Sequence, residues 1–450
     1  MSVKRVKSVK EVYLKEISNS WLIVPTKYVY KIQLGKMLQN EANSEEDVEI
    51  SYFKAADVQW ENVNIDNLPV MWASARDLNK FSVINGDLLV CEGGEVGRAG
   101  MVYNLEKNSI LQNALHRVRS TNKAEVKYLM YILRHIVATS WMDVLCNKAT
   151  IAHFTSEKFG DLRIPLPSVE EQSSIIQFLD IETAKIDLLI SKKQKLIKLL
   201  QEKRQSIIDE AVTKGLDPNI SMKDSGLEWL GTVPANWNLT KIKFTTKIKG
   251  RIGFRGYTTQ DIVNYREGAL TLGAKHINKK YQIDLSDPEF ISWEKYYESP
   301  EIMLKINDIV LVQRGSTVGK VAIINEDIGE ATINPSLMVL KETTCVPQYL
   351  FYFLSSSYIR DNIKVVTSVT AIPMISQEQI NNFVIVIPSL EEQLEIADYL
   401  KGQSKQIETI IDKINIQIKK IQEYRQSLIS EAVTGKIDVA VMERRHNNDH

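Results

Sequence analysis

The residues best suited to chemistry on phosphate lie between Lys241 and Lys280, where ten lysines and arginines face only two acidic residues. Lys241, Lys243, Lys247, Lys249, Arg251, Arg255, Arg266 and Lys275 are interleaved there with Phe244, Phe254, Tyr257, Tyr265 and His276. Such cations neutralise phosphates and release counterions, and Arg or Lys on glycine-flexed loops such as KIKGRIGFRGY also suits guanine O6 and N7 in a major groove. A solvated basic face is the competing reading of the same run. RGSTVGK (Arg314 to Lys320) adds two cations, Arg314 and Lys320, and has the look of a phosphate loop. It is one residue short between its glycines and lacks the Ser or Thr that would hold magnesium. With its upstream counterpart GGEVGR (Gly93 to Arg98) it reads as a strand-turn-strand feature.

The first half of the chain is different. Glu41 to Asp66 carries eight acidic residues and one lysine, which repels phosphate, so the candidate cations there are Arg98, Arg117 and Arg119. No catalytic constellation accompanies either set. The six histidines (His116, His135, His153, His276, His446, His450) form no metal-ligand spacing. Neither a G-x-S-x-G elbow nor a glycine-rich cofactor fingerprint occurs, and Asn334-Pro335-Ser336 lacks the aromatic of an adenine-methyltransferase loop. Cys91, Cys146 and Cys345 are too far apart for a disulfide framework or a zinc site. The formal net charge of +0 gives no whole-chain argument for nucleic acid or membrane. No signal-peptide core and no run of about 18 apolar residues occurs, so a soluble, cytosolic protein is expected.

What positions these residues is a duplication. QSIIDEAVTKG (from Gln205) returns as QSLISEAVTGK (from Gln426), and PSVEEQ (from Pro167) returns as PSLEEQ (from Pro388), both at an offset of 221 residues. Weaker matches extend upstream, KYLMYIL facing QYLFYFL and VPTKY facing VPANW. A period this long means duplicated domains rather than a solenoid of roughly 20- to 50-residue repeats. Each copy of PS-x-EEQ fits a capping box, with Ser168 and Glu171 in the first and Ser389 and Glu392 in the second. Gly215 and Gly435 stand at the expected stops. Between them the second copy reads as a heptad seam over positions 396, 400, 403, 407, 410, 414, 417, 421, 424 and 428, and the first copy repeats it from Ile175 to Ile207. A helix from Val169 to Thr213 spans about 68 Å at ~1.5 Å per residue. The linker Lys214 to Gly226 reaches only ~45 Å when extended. The second helix is therefore expected to run back antiparallel along the first, giving a pseudo-twofold rod with a globular domain at each end. A coiled coil between separate chains is the alternative use of the same heptads.

The order of globular region, IPLPSVEEQ, long helix ending EAVTKG, second globular region, VIPSLEEQ and second helix ending EAVTGK resembles the specificity subunit of a type I restriction-modification enzyme. The resemblance covers nearly the whole chain. It implies an α+β fold: two similar globular target-recognition domains joined by two long antiparallel coiled-coil helices, an internal pseudo-twofold repeat. The boundaries would be 1–166 and 218–386 for the recognition domains, 167–217 and 387–440 for the spacer helices, and 441–450 for a polar tail. It also implies a non-catalytic adaptor that reads a split, asymmetric double-stranded DNA target, one half-site per domain. Its partners would be two methyltransferase subunits and motor-endonuclease subunits, with no membrane. S-adenosylmethionine, ATP and Mg2+ would sit on those partners and no cofactor on this chain. Matched by position, Ser168, Glu171, Gln172, Arg204 and Glu210, with Ser389, Glu392, Gln393, Arg425 and Glu431, would cap the helices and form the docking surface. Two rivals remain at this point: a coiled-coil scaffold that never meets DNA, and a self-contained methyltransferase or nuclease.

Overall fold

Two long helices begin at the capping serines, Val169–Lys214 and Leu390–Val433. Glu171 N donates to Ser168 Oγ at 3.2 Å. Glu392 N donates to Ser389 Oγ, and the Glu392 carboxylate accepts from Ser389 N, each at 3.2 Å. First-turn N–H groups that have no partner inside the helix thus find acceptors. At the other ends Gly215 (φ 79°) and Gly435 (φ 68°) turn the chain through the left-handed region that a Cβ disfavours. The computed structural model describes residues 6–439 apart from 9, 11–12, 147–152, 254–255, 279 and 368–372. The polar tail, Phe254 and the candidate cation Arg255 therefore lie outside the described residues.

From Leu189 and Ile410 onward the seam on these helices differs from the sequence expectation at every second position. Leu179, Ile186, Leu200, Leu400, Ile407, Ile414 and Leu428 are covered, as the spacing predicts, but Leu189, Leu196, Ile410 and Tyr424 are 43%, 46%, 45% and 49% exposed. The covered partners are their neighbours: Ile190, Ile197 and Arg204 on the first helix, and Ile411, Ile418 and Arg425 on the second. Adjacent apolar residues such as Leu189 and Ile190 satisfy a 4-3 spacing in two phases one residue apart. The choice falls to whichever face the opposite helix and the globular domain cover.

The chain divides into two units, Met1–Lys193 with Asn415–His450, and Gln194–Ile414. Each contains the start of one long helix and the end of the other, paired antiparallel. In the first unit Asp187 meets Arg425 and Lys193 Nζ donates to Gln417 Oε1 at 2.8 Å. In the second, Arg204 meets Ser404 and Glu408.

The globular part of each unit repeats one plan. In the first unit a five-stranded sheet runs Tyr30–Leu34, Leu115–Ser120, Leu88–Cys91, Ala99–Met101, Glu61–Asn62, beside a four-stranded sheet Val70–Ala73, Val48–Phe53, Ser109–Leu111, Ser82–Val83. In the second unit the sheets run Lys247–Gly250, Leu337–Lys341, Ile309–Val312, Val321–Ile323, and Ile262–Val263, Phe290–Ser292, Gly268–Leu272, Ala331–Ile333. The turns GGEVGR and RGSTVGK each join two antiparallel strands. Strands such as Leu88–Cys91 and Ile309–Val312 are buried on both faces, which is why they read as unbroken apolar runs.

Each unit is closed where its two long helices end and begin. Trp21 and Trp237 are buried, and their indole Nε1 atoms donate to Glu171 (3.0 Å) and Glu392 (3.2 Å) respectively. A Cβ on Gly435 would lie 2.8 Å from the Trp21 ring, and one on Gly215 3.2 Å from Trp237. Tyr128 Oη donates to Val433 O at 3.3 Å, and Tyr349 Oη to Val212 O at 3.3 Å. The duplicated PS-x-EEQ and EAVT signatures therefore meet in space, the start of one helix against the end of the other, once in each unit.

Candidate nucleic-acid interface

The basic run of the second unit is spread along its sheet rather than gathered at one point. Lys241, at the end of strand Asn238–Lys241, and Lys243, in the turn Ile242–Phe244 that follows, are exposed, Lys247 pairs with Glu342, and Lys249 is exposed in mid-strand Lys247–Gly250. Arg251, at the strand's far end, is buried. Its Nε donates to Ile333 O at 3.2 Å and its guanidinium lies 5.4 Å from the Tyr257 ring centroid, while burial pushes the group below its ordinary value. His276 is buried too, accepting from Gly273 N at 2.8 Å through Nδ1, with Nε2 3.0 Å from Asp287 O. Lys275 pairs with Asp287 at 2.9 Å, Lys320 Nζ donates to Ile277 O at 3.3 Å, and Arg266 stacks over Tyr265 at 5.3 Å. Arg251, His276 and Lys320 thus hold the fold together; of the rest of the predicted set, Lys241, Lys243, Lys249, Arg266 and Arg314 are exposed, and Lys247 and Lys275 are exposed but ion-paired.

The three arginines of the first unit are also engaged within it. Arg119 forms a two-point pair with Asp87, Nε to Oδ1 at 2.5 Å and Nη2 to Oδ2 at 2.8 Å, and this raises its already high pKa. Arg117 donates to Ser82 O, and Arg98 to Ala55 O at 3.0 Å, with Glu95 at 2.9 Å. The acidic run beside them builds turns. Asp47 accepts from Asn43 N, Ser44 Oγ and Gln39 Nε2, and the first of these bonds holds its carboxyl below the usual range.

Each unit carries, by itself, an equivalent polar face formed by loops at corresponding strand ends. In the second unit Gln313 N donates to Ser336 O and Ile375 N to Gln313 O, both at 2.9 Å. In the first, Glu92 N donates to Ala114 O at 2.9 Å and Phe154 N to Glu92 O at 2.8 Å. These matched bonds superpose Gln313 on Glu92 and the neighbourhood of Met374 on that of His153. The second face presents Arg314, whose Nη2 lies 3.3 Å from Met374 Sδ, with Asn334 and Ser336. Its counterpart presents the exposed His153, whose Nδ1 lies 2.9 Å from the half-buried Glu92, the exposed Asn113, and Lys36 bonded to Gln39 and Asp77. Sequence reasoning missed Lys36, Gln39, Glu92, Asn113 and His153 because it searched for an excess of cations. The offset of 221 that aligns Phe154 with Ile375 was the signal that leads to them.

The predicted helix residues separate into joints and surface. Gln172 and Gln393 are 0% and 1% exposed. Gln172 accepts from Glu125 N at 2.8 Å and donates to Pro167 O at 3.0 Å, and Gln393 does the same with Val346 N and Pro388 O at the same distances. They bind each helix start to its own domain. Glu210 is exposed, and Glu431 accepts from Ser427 Oγ at 3.3 Å. The exposed apolar residues of the helices are others, among them Ile181, Leu188, Leu189, Leu196 and Leu199 on the first and Leu394, Tyr399, Ile410, Ile416 and Tyr424 on the second. Among the described residues no cluster of His, Cys, Asp or Glu is placed to hold a metal ion, and no helix is long and apolar enough to cross a membrane.

Comparison with known proteins agrees with this architecture. The model of the type I restriction modification DNA specificity domain matches residues 20–199 and again 254–420. The chain is 27% identical over 368 residues to the type I restriction enzyme MjaVIII specificity subunit of Methanocaldococcus jannaschii, covering 80% of this chain and 81% of that one. It is 23% identical over 301 residues to the EcoBI specificity subunit of Escherichia coli, covering 65% and 62%. In fold it resembles a chain from a structural study of complex assembly and conformational transition of the type I R-M system, with TM-score 0.65, 15% identity and coverage of 94% and 99%. The HsdS subunit from Thermoanaerobacter tengcongensis follows, with TM-score 0.51, 15% identity and coverage of 94% and 98%. A match over both copies, well above half its length, means that the chain belongs to the type I restriction-modification specificity subunits. Members of that family are non-catalytic targeting subunits that act with DNA and with methyltransferase and restriction subunits.

Proposed function

We propose that each unit reads one half of a split, asymmetric duplex target through its strand-end face, with residues 1–166 and 218–386 as readers and 167–217 and 387–440 as spacers. The observation that carries this is the duplicated polar face: Arg314, Asn334 and Ser336 in one unit, Glu92, Asn113 and His153 in the other, on the same backbone frame but with different side chains. Equal frames with unequal side chains suit two different half-sites. Arg and Asn are the side chains that pair with guanine and adenine edges, and Glu accepts from the cytosine amino group. Lys241, Lys243 and Lys249 would supply sequence-independent phosphate contacts. The exposed leucines at 188, 189, 196 and 199 are a surface on which two methyltransferase subunits would dock, with motor-endonuclease subunits joining through them. Those partners would carry S-adenosylmethionine, ATP and Mg2+, and the complex would act in the cytoplasm.

The test is co-expression with the cognate methyltransferase in a methylation-free host, followed by genome sequencing for N6-methyladenine. A two-part motif with a fixed gap is expected. No new methylation from a soluble complex would overturn the reading and favour a scaffold. Replacing Lys241, Lys243 and Lys249 together by Glu should weaken DNA binding by the complex and flatten its salt dependence. A scaffold would be indifferent to that change.

A further inference from the structure

In each unit one loop of the globular domain reaches out to an equivalent point of that unit's own long-helix segments. In the first it is the loop closed by the Val58–Val63 bridge, and in the second the loop closed by the Ile277–Ile283 bridge. Each carries a non-glycine residue in the left-handed region, Glu61 at φ 75° and Tyr281 at φ 61°. Such a backbone is costly for residues with a Cβ and persists where surrounding contacts hold it. In both cases the strained residue itself makes the contact.

The target on the helices is also duplicated. Arg425 Nη2 lies 3.2 Å from Asp187 Oδ2, and Arg204 Nη2 lies 3.5 Å from Glu408 Oε1. Arg204 is related to Arg425, and Asp187 to Glu408, by the offset of 221 that relates the helices. Each arginine thus bridges to the acidic residue of the opposite helix. Glu61 Oε1 accepts from Arg425 Nη2 at 2.6 Å and also from Arg134, whose guanidinium stacks 5.5 Å from the Trp60 ring. In the second unit the Tyr281 ring lies 5.8 Å from the Arg204 guanidinium, Gln282 Nε2 donates to Glu408 Oε2 at 3.3 Å, and Lys280 Nζ pairs with Asp412 at 3.0 Å. Gly100 is required beneath the first loop, because a Cβ there would meet Asn62 O at 2.5 Å and Gln59 O at 2.6 Å.

We propose that these loops are latches that fix the angle of each recognition domain on the spacer helices and thereby set the gap between half-sites. Glu61, Tyr281 and Gln282 are positioning residues, acting on Arg425, Arg204 and Glu408. The proposal rests on the half-site reading above. A domain held only where the helices start and end is free to swing about that joint. A second attachment removes the swing, and Asp187 lies ~24 Å along its helix from Glu171, as Glu408 does from Glu392, at ~1.5 Å per residue. One added base pair moves a half-site by ~3.4 Å and turns it by about 35°, from ~34–36 Å and 10–10.5 base pairs per turn. A domain held at two such distant points does not follow that turn without breaking a latch.

The test compares methylomes of the complex containing the parent chain, Glu61→Gln, and Lys280→Ala combined with Gln282→Ala. The double variant changes partly or fully exposed side chains, so it keeps the fold if Glu61→Gln does not. The expected result is unchanged half-sites with methylation at gaps one base longer or shorter rising about tenfold, the change in occupancy that ~1.4 kcal/mol produces. A merely structural role would lower thermal stability and leave the gap strict, and a strict gap in the folded double variant overturns the latch. If the parent itself yields no two-part motif, the half-site reading falls and the latch falls with it.

Discussion

At the scale of single residues, the buried amides of Gln172 and Gln393 explain why a helix start in this chain needs a glutamine four residues after its capping serine. Each amide satisfies the proline C=O of the turn into the long helix and the N–H of Glu125 or Val346 at the start of a domain helix, groups that would otherwise lack these partners. Replacing Gln393 by Leu should cost about 2–4 kcal/mol, since two buried backbone groups lose their partners at ~1–3 kcal/mol each. Urea unfolding of the variant reads this directly. A second residue-scale prediction concerns His116 and His135. Burial holds both below the usual histidine value, with His116 Nε2 2.6 Å from Phe154 O and His135 between Ser430 Oγ (2.8 Å) and Tyr13 O (2.9 Å). Their folded pKa lies below the unfolded one, so below about pH 6.5 the unfolded chain binds protons that the folded chain refuses. Stability of the first unit should fall as the pH drops through that window, by up to ~1.4 kcal/mol per pH unit for each histidine. Urea midpoints measured between about pH 7.5 and 5.5 would show it, and a flat profile would contradict the burial argument.

At the scale of elements, the long helices were legible in their extent and not in their facing. Serine caps, glycine stops and apolar periodicity are local, and the observed bounds Val169–Lys214 and Leu390–Val433 follow from them. The phase of the seam is set by contacts across the helix pair, and the 4-3 rule admits both Leu196 and Ile197. The pairs conserved between the two copies were the better guide: Ile190 with Ile411, Ile197 with Ile418 and Arg204 with Arg425 are all on the covered side. Leu196→Gln should leave the stability of the isolated chain within about 0.5 kcal/mol of the parent. Ile407→Ala, which empties a covered position, should cost about 2–4 kcal/mol. Thermal unfolding distinguishes the two, and a large loss for Leu196→Gln would restore the other phase.

At the scale of the whole molecule, the first unit is built from the two extremes of the described chain. Its core includes Leu428, Ile429, Ala432 and Val433 from the second long helix, packed with Trp21, Tyr128 and Ile175. A chain stopped after Ile414 should therefore keep the second unit and lose the first. Limited proteolysis should spare the region around residues 194–414 and degrade the region before it. Survival of both would show that the helix end is dispensable. Under the proposed ruler role, inserting one heptad into both long helices adds about 10.5 Å and should lengthen the gap by ~3 base pairs without altering either half-site.

Duplication, helix extent, caps and family could be read from the sequence alone, because each rests on spacing along one chain. The repeat at an offset of 221 even contained the equivalence of the two polar faces. Which charges meet solvent was decided only in three dimensions. Arg119 and Arg251 are as cationic in sequence as Lys243 and Arg314, but Asp87 and Ile333 O reach them through strand pairings made between residues tens of positions apart. Long-range pairing likewise brings Glu61 onto Arg425, 364 residues away. A composition window sees neither contact, since the energy that buries an arginine comes from groups that only the folded sheets bring beside it.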